Sequence, residues 1–291
     1  GIKTNKFNEV LSERIRNIDS RISLKINDVF LKLNLAEKSI RINTKNSKVN
    51  IEDASISLSE IEANLDIIKF LKKENAIKKI KIISKKNPIR NVTDFLNIYK
   101  FNLPRLVVYS QIKSGDIKAS ANIYFHKENL KKFNYEIIGE VNNASIKSFK
   151  NNNFNNIDFQ FNVKDQLYNF TKIYLEYNKI KINSENLSIS KSGKNFAVSG
   201  DLQIKESLLN PKFIKSIFNL DFDYVDNKNI LVDTTNNFSF NINSNKKISD
   251  LNFSSKLNFD KIFINSKYQD LIYLNDGIIN SEYKNKNLSV N

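Results

Sequence analysis

Residues 238–243 read FSFNIN and residues 251–259 read LNFSSKLNF. In the first stretch Phe238, Phe240 and Ile242 alternate with Ser239, Asn241 and Asn243. In the second, Leu251, Phe253, Leu257 and Phe259 stand against Asn252, Ser254, Lys256 and Asn258. Successive side chains of a strand point to opposite faces, so each stretch predicts a strand that is apolar on one face and hydrated on the other. The pattern recurs upstream. Ile117, Ala119, Ala121 and Ile123 alternate, as do Phe133, Tyr135, Ile137, Gly139 and Val141. Ile157, Phe159, Phe161 and Val163 follow, then Ile173, Leu175 and Tyr177. One-faced strands recurring every ~8–12 residues predict an antiparallel, mainly β architecture. Such a sheet needs something over its apolar face, either more protein or an apolar ligand.

Composition narrows the chemistry. The 291 residues include no Cys, which removes disulfides, thiolate metal sites and cysteine nucleophiles. Met is absent even at position 1, and the chain stops at Asn291 inside another alternating stretch; both predict a piece of a longer polypeptide. No run approaches the ~18–20 apolar residues of a membrane-spanning helix, and no signal peptide is visible. The net charge is +15. Such a charge attracts anionic partners, but the lysines are dispersed, densest at Lys72, Lys73, Lys78, Lys79, Lys81, Lys85 and Lys86, and Lys, Asn, Ile and Phe all have A/T-rich codons. Compositional drift is the favoured explanation.

Four segments are expected. Residues 1–20 form an amphipathic helix or connector, with Phe7, Val10, Leu11, Ile15 and Ile18 at helical spacing. Residues 21–110 form a first β module with short helices, at Ile67 to Lys73 and around Val92, Phe95, Leu96 and Tyr99. Its turns are expected at Asn27-Asp28, NTKNSK and EDA, and Pro88 interrupts it. Residues 111–219 form a central meander, with short pieces at Ile180–Ile182 and Leu187–Ile189. Near its end Asn210 is placed as a helix cap, with Pro211 in the first turn and Leu209 set to pack on Ile214. Residues 220–291 form a further β segment.

Catalytic groupings are weak. His126 is the single histidine and reads as a surface residue beside Lys127 and Glu128. Asp221 and Asp223 share a strand face and read as its wet side. Six glycines provide no phosphate-loop spacing. The N-x-S/T triplets at Asn91, Asn143, Asn169 and Asn186 are what an Asn-rich chain produces by chance. Lysines beside aromatics, as at Lys131, Lys132, Phe133 and Tyr135, resemble a base-stacking surface, but the aromatics share a face with Ile and Leu, so nucleic acid is not expected as a partner. No enzyme activity, metal or cofactor is expected.

The order of elements resembles the AsmA-like superfamily of bacterial envelope proteins (AsmA, TamB and YhdP types). The matching stretches are KFNEVLSERIRNI, SRISLKINDVFLKLNL and VNIEDASISLSEIEANLDIIKFLKKENAIKKIKI, followed by GEVNNASIKSF, NIDFQFNV and a strand set ending at Gly200-Asp201-Leu202. The likeness covers roughly residues 6–220 and rests mainly on hydrophobic alternation; the family's N-terminal transmembrane helix is absent from this stretch. It implies an elongated, twisted antiparallel sheet curled into an apolar groove or open barrel. It also implies a periplasmic location, with an inner-membrane anchor outside this chain, and conduction of phospholipid between inner and outer membranes. The expected partners are phospholipid acyl chains, the inner membrane and, as a further candidate, the outer membrane. Alternation selects as groove candidates Phe133, Tyr135, Ile137, Ile157, Phe159, Phe161, Ile173, Leu175, Phe238, Phe240, Phe253 and Phe259. The competing expectation is a structural or adhesive β-repeat protein with a closed core.

Overall fold

The computed structural model describes residues 2–3, 20–26, 28–72, 76–98, 112–126, 129–147, 153–210, 229–245, 247–264, 272–284 and 287–291. The chain is mainly β, its paired strands run antiparallel in open ladders, and helices are few. It divides into two units. The first is Gly1–Ser148 with Gln160–Asp165; the second is Phe149–Phe159 with Gln166–Asn291.

The first unit contains β1 (Ile2–Lys3), β2 (Ile22–Lys25), β3 (Asp28–Asn34), β4 (Ser39–Lys45), β5 (Lys48–Ile51) and β6 (Ala54–Asp66). Helix α1 (Ile67–Leu71), β7 (Ile77–Ser84), β8 (Asn87–Pro88), helix α2 (Ile89–Ile98), β9 (Ile112–His126) and β10 (Asn129–Lys147) follow. β6 is long enough to pair with two strands, β5 along its first half and β4 along its second. β2 and β3 line up outside β5 and β4 in the same way. β7, β9 and β10 extend the meander from the other edge of β6. Buried Asn87 fastens β8 to β6: its Oδ1 accepts the Ser57 N–H at 2.7 Å, and its Nδ2 donates to the Ser57 carbonyl at 3.0 Å. α2 packs on β6 and β9, and its Asn91 donates to the Ser55 carbonyl at 3.0 Å. The buried apolar residues of this unit include Val29, Ile51, Ala54, Leu58, Ile89, Val141 and Ala144.

The second unit holds the first residues of β11 (Asn153–Lys164). It continues with β12 (Leu167–Tyr177), β13 (Ile180–Ser192), β14 (Asn195–Leu209), β15 (Ile230–Ile242), β16 (Ile248–Ile264), β17 (Ile272–Lys284) and β18 (Asn287–Val290). From β12 to β18 each strand pairs with the next. Among the described residues this ladder does not close on itself. Its tightest core is Ile230, Val232 and Phe259, flanked by Leu209, Leu257 and Ile279.

Long strands create a phasing problem. Side chains alternate with period two, so one extra residue turns everything beyond it to the other face. Here the apolar series slips by one residue repeatedly, and several slips coincide with a left-handed residue, while the slip on β13 between Asn183 and Leu187 has none. Asn46, Asn143, Asn156, Lys172, Glu206, Asp250 and Asp276 have φ between 45° and 53°. Around them the residues of the apolar face run Thr44 to Ser47, Val141 to Ala144, Phe154 to Ile157, Phe170 to Ile173, Ile204 to Ser207 and Ile248 to Leu251. At Glu206 the register shows the geometry directly: Ile204 faces Thr234 and Ser207 faces Val232, three residues on β14 against two on β15. At Asn143, Glu206 and Asp250 the register shifts, marking bulges whose left-handed residue resets the phase so that one face stays apolar. Neighbouring carboxylates satisfy the amides that such bulges free. Asp201 accepts from the Glu185 and Asn186 N–H groups at 3.0 and 2.8 Å, and Asp233 accepts from the Glu206 N–H.

The phase shifts correct three sequence expectations. Asn27-Asp28 is not a chain reversal, because β2 and β3 run in the same direction against β5 and β4. NTKNSK is not a turn either: β4 and β5 both run antiparallel to β6, joined through Asn46, with Thr44 and Ser47 hydroxyls turned inward and hydrogen-bonded at 2.9 Å. Ile180–Ile182 and Leu187–Ile189 are parts of one strand, β13. At NTKNSK and within β13 a polar stretch absorbs one residue of slip instead of reversing the chain. The EDA turn at Glu52-Asp53 and the short helix after Asp66 are present, as is a helix through Val92. The helix expected through residues 7–18, the helix beginning after Asn210 and the Asp221–Asp223 pair lie outside the described residues.

Lys172 is exposed and left-handed, a conformation that costs a residue with a Cβ about 1–2 kcal/mol. Lys172→Gly is expected to raise stability by up to about 1 kcal/mol, and Lys172→Val to lower it by at least about 1 kcal/mol. Urea midpoints check both; a destabilised glycine variant would contradict the phase-setting role.

Candidate functional site

The phase resets produce rows of apolar side chains across successive strands. In the second unit one row runs Phe170, Leu187, Gly200, Phe238, Phe253, Tyr283, Leu288, in register from β12 to β18. A second runs Tyr168, Ile189, Val198, Phe240. A third runs Leu175, Ile182, Ile204, Thr234, Leu257, Ile279. At ~4.8 Å between strands, a seven-strand row spans about 29 Å. The first unit has its own: Ile2, Leu31, Ile42, Ala63, Ile80, Ile123, Tyr135, with Ile61, Ile82, Ala121 and Ile137 beside it.

The reverse faces are polar. In the second unit Ser199, Ser239 and Asn252 form one rung, and Asn237, Ser254, Glu282 and Ser289 another. In the first, Asn43, Glu62, Lys81, Asn122 and Glu136 stand in register. Arg41 pairs with Glu62 at 3.5 Å, and the Lys79 ammonium lies 5.0 Å over the Tyr124 ring. A hydrogen bond from the Tyr174 hydroxyl to Glu176 raises the phenol above its usual range. A shallow cleft of about 410 Å³ at the β16–β18 edge is lined by Thr235, Ser254, Lys256 and Ser289 among others. Among the described residues no group of three His, Asp or Glu side chains is placed to hold a metal ion, and no helix is long and apolar enough to cross a membrane. His126 ends β9, exposed.

The sequence-selected residues fall into distinct environments. Phe238 and Phe253 face each other across β15 and β16, and the Phe238 and Phe240 rings stack at 6.1 Å. Phe159 meets Phe170 edge-on at 5.7 Å. Ile173 and Leu175 are half-buried on β12, in register with Ser184 and Ile182. In the first unit Phe133 lies beside Phe125 at 6.1 Å and Tyr135 at 6.5 Å, and Ile137 faces Ala121. Phe161 covers Gly139, where an added Cβ would sit 2.5 Å from its Cζ. Ile157 and Phe259 are buried, so they hold their surroundings together and present little surface to a ligand. Sequence selection passed over Leu187, Ile189, Val198, Ile279 and Tyr283, which share the same rows. Their signal was an alternation broken at each phase reset.

The face is not wholly dry. Leu202, Asn236, Ser255, Ser281 and Val290 are in register. Asn236 Nδ2 satisfies itself on the Leu202 carbonyl at 3.0 Å and Thr234 Oγ1 at 2.9 Å. Most apolar members of the rows are only partly buried, and in the second unit no helix is present among the described residues to cover them. Contiguous apolar patches beyond a few hundred Å² are uncommon on soluble monomers and mark contact surfaces.

Comparison with known proteins adds no assignment: no family model, no curated protein and no solved structure matches the chain.

Glycines let large rings lie flat on this face. Gly200 faces Phe238, and Gly277 sits directly under Phe259. A Cβ at 277 would collide with the Phe259 ring. Gly277→Ala is expected to cost about 1–3 kcal/mol through overpacking, and Phe259→Leu in the same chain to recover part of that loss. A double-mutant cycle by urea unfolding measures the coupling; additive losses would contradict the packing described.

Proposed function

We propose that this protein is a non-enzymatic lipid-binding sheet that conducts phospholipid in the bacterial envelope, with acyl chains lying along its apolar face. The observation that carries the reading is the Phe170–Leu288 row: seven consecutive strands present an apolar or glycine residue to one face, and that face is only partly buried. Each methylene transferred from water to such a surface gains about 0.8 kcal/mol. The lateral continuity of the row leaves no polar rung for an acyl chain to cross, so a lipid can slide without a chemical step. The sheet curls around its apolar side as a groove, while the Ser/Asn/Lys side faces water. The resemblance to AsmA-like proteins supports the same reading. On this reading the chain works in the periplasm at the inner membrane and exchanges lipid with the inner and outer membranes.

The test is lipid extraction and native mass spectrometry on the purified chain, beside a Phe238→Asp/Phe253→Asp variant. Several phospholipids per wild-type chain, and a loss of most of them in a variant that keeps its β circular dichroism, are expected. A folded, lipid-free wild-type monomer would overturn the proposal and favour a structural β-repeat protein with its apolar faces closed.

A further inference from the structure

The first unit carries a second apolar surface, at the end where the β3–β4 turn meets α1. Leu33 and Leu35 are 57% and 74% exposed, and Ile68, Phe70 and Leu71 are 46%, 46% and 75% exposed. The two elements are joined: the Ile67 N–H donates to the Lys38 carbonyl at 3.0 Å, tying the first turn of α1 to the hairpin. Leu33 is in register with Ile40 and Leu65, so the apolar face of the sheet continues out to this end. Exposed aliphatic residues scattered singly need no explanation, but five gathered at one turn and one short helix form a patch.

The charges around the patch have one dominant sign. Lys38, Lys69 and Lys72 stand in the turn and the helix, against Glu37. Among the described residues the other local acid, Asp66, is occupied within the protein: its carboxylate accepts from the Ile68 and Lys69 N–H groups at 2.9 and 3.1 Å and pairs with Lys78 at 3.0 Å. The Lys69 amide and Lys78 hold that carboxyl below its ordinary range, so it stays charged and internally neutralised. Long lysine stems let aliphatic residues beside them enter a bilayer interface while their ammonium groups remain at headgroup level.

We propose that this end of the first unit docks on an anionic lipid bilayer, with Leu35 and Leu71 entering the interface and Lys38, Lys69 and Lys72 resting on the headgroups. The inference does not require acyl chains on the sheet face, and it stands or falls separately from the conduction reading.

Co-sedimentation of the 291-residue chain with phosphatidylcholine vesicles, with and without phosphatidylglycerol, tests it. Binding is expected to favour the anionic vesicles by about tenfold and to weaken as salt rises. Leu35→Asp/Leu71→Asp should lower binding about tenfold, and Lys38→Glu/Lys72→Glu should erase the preference for phosphatidylglycerol. Both variants should melt where the wild type does, since the altered side chains are exposed. The chain has no native cysteine, so Leu35→Cys carrying a polarity-sensitive dye reports insertion independently of any loss of fold, as a blue shift on adding anionic vesicles. Phe238→Asp/Phe253→Asp should bind vesicles as well as wild type, which separates this surface from the sheet face. No binding to either vesicle, undiminished binding by the Asp variant, or an unshifted dye on vesicle-bound protein would each overturn the proposal.

Discussion

Everything in this protein depends on keeping one face of long strands apolar. Thirteen to nineteen residues, as in β6, β13, β14 and β10, are more than a regular pleat keeps in phase with its neighbours once twist accumulates. The chain solves this locally. A single residue with positive φ moves the apolar series from two positions before it to one position after it, and Lys172, Glu206 and Asp250 do this on three strands of one ladder. Each such residue lacks glycine's freedom, and at Glu206 the Asp233 carboxylate, accepting its N–H, supplies part of the hold. Without the resets, Phe170 would not share a face with Ile173 and Leu175, nor Phe253 with Ile248.

Much of this was legible in the sequence. Phe238/Phe240 against Ser239/Asn241 reads as a half-wet strand because alternation is a local property, and the structure pairs those strands as the pattern requires. Two things were not legible. One is the phase reset: Asn, Asp, Glu and Lys serve at bulges, at turns and on open surfaces alike, so NTKNSK reads as a reversal until β6 is seen running past both β4 and β5. The other is cover. Phe253 and Phe259 occupy equivalent places in LNFSSKLNF, yet Phe253 is partly open and Phe259 is buried against Ile230 and Val232. Alternation assigns a face; it carries no information on what lies over that face.

The two faces divide the physical work. On the hydrated side, cross-strand rungs of Asn, Ser, Glu and Lys pair opposite charges, as Arg41 with Glu62, and leave each strand soluble. On the apolar side, glycines at 139, 200 and 277 make room for the rings of Phe161, Phe238 and Phe259, so the surface is filled without displacing the backbone. A surface built this way offers contact area with little directionality. That suits a partner recognised by being apolar and elongated, and suits poorly one recognised by a fixed set of hydrogen bonds.

The central claim is that one face of the second unit receives acyl chains and the other does not. The direct measurement is methyl NMR of the Ile/Leu/Val-labelled protein titrated with a fatty acid bearing a nitroxide on its chain. The account predicts that methyls of Ile189, Val198 and Leu257 broaden, while those of Leu231 and Ile278, exposed on the reverse side of neighbouring strands in the same ladder, stay sharp. Equal broadening on both faces, or none on either, would contradict it.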